Sequence, residues 1–183
     1  MGRAVLISIR PEWTCKIISR VKTIEVRKSR PKKLNSPFKC YIYQCLPKYG
    51  DWNDRDGHVI GEFVCDVIYE IDAERGKTLG EAVKGIPAYR LLRDACLTAY
   101  DLLDYLSAGE NSTLEYRTGY GWHISDLWLY DQPKKLSDFK RWNRTEDNSP
   151  CAHVKFLYEP CESCKECNLT RPPQSWCYVE DMT

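Results

Sequence analysis

Between residues 4 and 27 the chain changes period twice, and this constrains its fold more than any other stretch. Ala4 to Ile9 is an apolar run of strand length, and Pro11 follows where the first turn of a helix tolerates a proline. Trp13, Ile17 and Ile18 then mark one helical face before the chain extends again at Val21. In that second strand Ile24 and Val26 point one way, and Thr23, Glu25 and Arg27 the other. Strand, short helix and strand thus gather a carboxylate, an arginine and Lys22 on one polar face.

The rest of the chain adds strands at its far end and helices between. Phe38 to Cys45 reads as a strand, Pro47 to Gly57 as loop, and His58 to Ile71 as one long strand with Gly61 marking a bulge. Thr78-x-x-Glu81 is a capping box for a short helix closed by Gly85. Thr98-x-x-Asp101 opens a stronger helix, with Leu102, Leu103 and Leu106 as its stripe and Gly109 near its end. Gly121 to Asp131 reads as a strand that Pro133 ends, Asn143 to Pro150 as polar loop, and Ser175 to Glu180 as the last strand. Strands at both ends with helices inserted predict an α+β fold on a small β-barrel. A doubly wound parallel sheet is disfavoured, since strands and helices do not alternate and no glycine-rich phosphate loop follows a strand.

With 183 residues, 43% hydrophobic and 29% charged, the chain suits one soluble globular domain. No apolar run reaches transmembrane length, which excludes helical membrane classes, and the absence of a secretory n- and h-region predicts a cytoplasmic location. Net charge is only +1, yet Lys16 to Lys33 holds eight basic residues against the single acid Glu25. A focal basic patch on a near-neutral chain suits a local anionic partner, a nucleotide or a short RNA segment. Lys28 to Lys33 alone reads as a solvated loop, whereas Lys22 and Arg27 are tied to a strand beside Glu25.

The opening resembles the ASCH domain, a PUA-like β-barrel family with the signature G-x-K-x-x-E-x-R after its first helix. Lys22, Glu25 and Arg27 match, and Arg20 stands in place of the glycine. Gly119-Tyr120-Gly121-Trp122-His123-Ile124-Ser125-Asp126, then Asp131-Gln132-Pro133, is similar to a later strand of that family and its proline turn. The tail from Arg171 to Glu180 resembles the ending of phage and prophage members. The resemblance implies one PUA-like domain over residues 1–183, with 143–168 a Cys-rich insertion before the last strand. It also implies RNA or nucleotide binding in a cleft between the first helix and the barrel.

Three readings of Lys22, Glu25 and Arg27 compete. In binding, Lys22 and Arg27 contact phosphate while Glu25 accepts from a base or orients Arg27. In a structural role, Glu25 and Arg27 form an ion pair worth little if exposed. In catalysis, a desolvated Lys22 is a general base. Binding is preferred, with Arg10, Lys22, Thr23, Glu25 and Arg27 as its face and Trp122 and Trp176 as stacking partners for an unpaired base. Trp128 is expected in the core. Two enzymatic alternatives stand beside binding: a ribonuclease, with His123, Lys22 and Glu25 supplying acid and base, and an amidohydrolase of modified nucleosides, which the chain resembles at Lys22 and Thr23. The family's amidohydrolases carry a threonine, thought to be the nucleophile, where this chain has Glu25, and a carboxylate does not replace a hydroxyl nucleophile. A third alternative is a phage accessory protein acting by protein contacts.

Ten cysteines in a cytosolic chain do not predict a disulfide framework. Cys161-x-x-Cys164-x-x-Cys167, with Cys151 upstream, fits a tetrahedral zinc site, and His153 or Cys177 are alternatives to Cys151. Few apolar residues surround them, so a structural zinc would order a stretch that cannot fold by burial. Reduced, exposed thiols are the competing reading.

Overall fold

A computed structural model describes residues 2–46, 57–73, 78–107, 118–142 and 168–182. In chain order these form β1 (Arg3–Ile9), α1 (Pro11–Ile18), β2 (Ile24–Arg27), β3 (Phe38–Gln44), β4 (His58–Cys65), β5 (Ile68–Ile71), α2 (Leu79–Ala82), α3 (Ala88–Ala95), α4 (Ala99–Leu106), β6 (Gly119–His123), β7 (Ser125–Lys134) and β8 (Trp176–Glu180). The strands make two sheets, five-stranded in the order β7-β4-β3-β1-β8 and three-stranded in the order β2-β6-β5. The class is α+β as expected, but among the described residues no sheet closes into a barrel. The chain divides into two compact units. One comprises Met1–Pro11, Lys39–Glu62 and Trp128–Thr183, and the other Glu12–Phe38 and Phe63–Leu127.

In the first unit β1 is an interior strand, parallel to β3 and antiparallel to β8. Ala4 to Ile9 are buried on both faces, which explains an apolar run rather than an alternation. Ala4, Leu6, Tyr41, Tyr43, Val59, Phe139, Leu169 and Val179 form the core, with Tyr41 and Phe139 edge to face at 4.9 Å. Around it, the Tyr41 hydroxyl donates to Asp181 Oδ1 at 2.7 Å and the Tyr130 hydroxyl to Glu62 Oε2 at 2.6 Å. Lys39 Nζ stands 3.0 Å from Asp181 and 3.6 Å from Glu62. Gly61 serves close approach, because a Cβ there would lie 2.4 Å from the Trp128 carbonyl oxygen. Pro133 does not end its strand. β7 continues to Lys134, and as the outermost strand of its sheet it tolerates a residue without an N–H.

In the second unit β6 is flanked antiparallel by β2 and β5. Ile24, Val26, Ile71, Val83, Leu91, Ala95, Leu102 and Leu106 form its core. The box at Thr98 is present, with Asp101 N–H donating to Thr98 Oγ1 and the Thr98 N–H to Asp101 Oδ2. Gly109 lies outside the described residues. Two expected strands are in fact broken. His58 to Ile71 divides at Asp66–Val67, and Gly121 to Asp131 at Ile124, each part joining a different sheet. Local bonds hold the breaks: the Val67 carbonyl accepts from the His123 N–H at 3.0 Å and from the Cys65 thiol at 3.5 Å. Asp126 adopts φ 46°, which turns the chain as β7 begins. The helix α3 has no counterpart in the sequence reading, although Pro87 before it and Leu91 and Ala95 four residues apart are its signals.

Candidate functional site

The site is built where α1 ends, β2 begins and α3 terminates. Arg20 adopts φ 59°, the left-handed conformation that a glycine takes without steric cost. Its N–H donates to the Ile17 carbonyl, while the Val21 and Lys22 N–H groups donate to that of Lys16. Thr23 N–H then bonds the Asp94 carbonyl at 2.8 Å, fastening the start of β2 to the last turn of α3. That turn closes at Cys96, itself left-handed at φ 56°. Lys22 Nζ donates to the Ala95 carbonyl at 2.7 Å, so the ammonium group caps a helix C-terminus, where exposed carbonyls and the helix dipole favour a cation.

From there β2 alternates. Ile24 and Val26 enter the core, and Glu25 and Arg27 take the other face. Glu25 Oε2 lies 3.3 Å from Lys22 Nζ, and its Oε1 lies 3.0 Å from Arg27 Nη2. The three residues are only 3%, 6% and 9% exposed, so this is a buried ion cluster and not a surface pair. Burial pushes the Lys22 ammonium below the usual lysine range, and the Glu25 charge and hydrogen bond only partly oppose it.

Aromatic residues line the cluster. Trp122 stands opposite Glu25 and Tyr120 opposite Arg27 in the β2–β6 register. Trp122 is fully buried, edge to face with Phe38 at 5.8 Å, so the expected stacking partner is packed away. Trp128, expected in the core, is 68% exposed on β7. Four basic groups rest on rings of this unit. Lys16 Nζ and Lys22 Nζ lie 4.6 Å and 4.9 Å from the Trp13 centroid. Lys28 Nζ lies 5.0 Å from that of Tyr105, and the Arg30 guanidinium 5.7 Å from that of Tyr120. Burial raises the Tyr105 phenol, with Arg27 and Glu25 contributing opposing charge effects beside it. The residues 28–33 are exposed apart from Pro31, as a solvated segment should be, yet two of their cations are seated on aromatic faces.

Other expected site residues lie apart. His123 pairs with Ile24 and not with Glu25, so strand alternation turns it to the opposite face of β6 from Trp122. Its Nδ1 meets Asp66 Oδ1 at 2.6 Å. Burial raises the Asp66 carboxyl, but the His123 hydrogen bond and charge, with backbone N–H groups, outweigh it and hold the group below its usual range. Lys22, Glu25 and His123 therefore do not converge as an acid–base set. Arg10 follows β1, and Trp176 is part-buried in β8, edge to face with Tyr178 at 5.3 Å; both belong to the first unit. Cys151, His153, Cys161, Cys164 and Cys167 lie outside the described residues. Burial pushes the Cys177 thiol above its usual range.

No family profile and no curated protein matches the chain. Solved structures do. ASCH from Zymomonas mobilis is 20% identical with a TM-score of 0.52, over 97% of this chain and 88% of that one. A serine-to-alanine mutant of that protein gives 20% and 0.55 over 97% and 89%, and a tyrosine-to-phenylalanine mutant 19% and 0.51 over 97% and 91%. At such identity the likeness speaks for architecture alone, and the chain shares the fold of this Zymomonas ASCH protein over almost its whole length.

Proposed function

We propose that this chain is an ASCH-type protein that binds RNA or a nucleotide through the face of β2 carrying Lys22, Glu25 and Arg27. The observation that supports this most is the buried ion cluster ringed by cations on aromatic faces. A buried ion pair is weak evidence of stabilisation, since removing charges from water costs several kcal/mol per ion. Glu25 and Arg27, paired and nearly buried, fix the charged centre of this face, with Lys22 and Thr23 fixing the start of their strand. Lys16, Lys28 and Arg30 are exposed and supply phosphate contacts.

The test is titration of a labelled oligoribonucleotide at several salt concentrations. Arg30→Ala should lower the salt slope by about one unit, as loss of one phosphate contact does. Lys22→Met should weaken binding with the fold retained. Intact RNA in the recovered complex fits binding alone. A catalytic reading rests on one observation, the buried Lys22 Nζ standing 3.3 Å from Glu25 Oε2. It predicts cleaved or deacylated product that Lys22→Met abolishes.

A structural zinc held by Cys151, Cys161, Cys164 and Cys167 belongs to the same proposal. Its support in the described residues is the stem of the Cys-rich segment. Lys140 and Asn168 form a bridge, and the Leu169 N–H donates to the Phe139 carbonyl at 2.9 Å. The described flanks on either side of the Cys-rich residues thus meet at one place in the first unit.

A further inference from the structure

We infer that Trp13 is the stacking platform for an unpaired base and that Lys16, beside it, is the phosphate contact that accompanies that base. This rests on the nucleic-acid reading above and assigns the role that Trp122, fully buried, does not fill. Trp13 sits in the first turn of α1 and is part-exposed. It touches the ion cluster directly, because the same Lys22 ammonium that contacts Glu25 at 3.3 Å lies 4.9 Å from the indole centroid.

The two lysines on that ring differ in what holds them. Lys22 is 3% exposed and fixed by the Ala95 carbonyl and Glu25, so it stays when a ligand arrives. Lys16 is exposed, and its ammonium lies 4.6 Å from the indole centroid, with the Asp101 carboxylate near enough to feel its charge. An exposed ammonium gains less from an indole than a stacked base does. A base can therefore displace Lys16, whose flexible stem carries the charge to the adjoining phosphate.

The experiment compares wild type with Trp13→Phe, Trp13→Leu and Lys16→Ala, using a short single-stranded oligoribonucleotide, the same oligomer with one abasic position, and a mononucleotide. Trp13→Leu should raise Kd roughly tenfold to a hundredfold with an unchanged salt slope, and should lose the wild type's preference for the intact oligomer over the abasic one. Trp13→Phe keeps a π-face and should stay within about threefold of wild type. Lys16→Ala should lower the salt slope by about one unit and keep the abasic discrimination. Unfolding midpoints of the variants show whether a loss is one of folding, and Trp13→Phe, which fills most of the same space, decides the matter if Trp13→Leu unfolds. Wild-type binding with Trp13→Leu equally tight would overturn the assignment and leave the nucleic-acid reading standing. Absence of binding by wild type to all three probes would overturn both.

Discussion

Arg20 occupies a backbone conformation that costs a non-glycine residue about 1–2 kcal/mol, part of which an arginine recovers because its unfolded chain is stiffer than glycine's. Arg20→Gly should therefore stabilise the protein by about 0.5–1 kcal/mol, read as a higher urea midpoint with unchanged slope; a lower midpoint would mean that the Arg20 side chain has a role of its own. Glu25 carries the opposite expectation. Glu25→Gln leaves Lys22 and Arg27 as buried cations without their shared carboxylate and should destabilise by about 3–5 kcal/mol. Denaturant unfolding measures this, and a loss below about 1 kcal/mol would mean that water reaches the cluster. The juxtaposition of Glu25 and Arg27 was legible because strand alternation determines it, whereas Lys22 precedes β2 and is brought to them by the turn at Arg20 and the Ala95 carbonyl. The burial of Trp122 and the exposure of Trp128 were not, since each depends on what packs across from it, Phe38 over one and the outermost position of β7 for the other.

At the scale of elements, α1 and β2 could be read from the first residues, and both capping boxes announced their helices. The break of each long strand into two could not be read, because Asp66 and Val67 make their bonds to His123 across more than fifty residues of sequence. The helix α3 is hard to read because it fully buries only Leu91 and Ala95, with Ala88 and Leu92 partly buried and tyrosine, arginine and aspartate between them. Yet it supplies the Ala95 carbonyl that fixes Lys22. Leu91→Ala should cost about 2–5 kcal/mol and disturb the site through that contact, measured by unfolding and by oligoribonucleotide affinity together. In the first unit, burial first and then hydrogen bonds to Asp181 and Glu62 push the Tyr41 and Tyr130 phenols well above the usual tyrosine range. A raised folded pKa contributes stability that is fully present below the unfolded value of about 10 and lost as pH climbs past it. Lys22, with its folded pKa lowered, acts in the opposite sense, its contribution growing as pH rises. The unfolding midpoint of Tyr41→Phe/Tyr130→Phe should thus fall less between pH 9 and 11 than that of wild type, and parallel curves would contradict the coupling.

For the whole molecule, the division into two compact units sets what each piece of sequence can contribute. The basic run from Lys16 to Lys33 lies in the second unit together with α3, α4 and the three-stranded sheet. The described flanks of the Cys-rich stretch, Lys140 and Asn168, lie in the first and bridge to one another. Elemental analysis of purified protein should find one zinc per chain, and chelation should expose residues 143–167 to protease while the rest stays protected; metal-free protein with the segment already protected would contradict the zinc proposal. The central claim, that the second unit's β2 face binds RNA, is tested most directly by photo-crosslinking. A 4-thiouridine oligoribonucleotide is irradiated with the protein, and the modified peptides are mapped by mass spectrometry. The account predicts crosslinks within residues 12–33, centred on Trp13 and the Lys28–Arg30 segment, and their loss at high salt. Crosslinks confined to residues 39–62 or 128–183, or none at saturating oligomer, would contradict it.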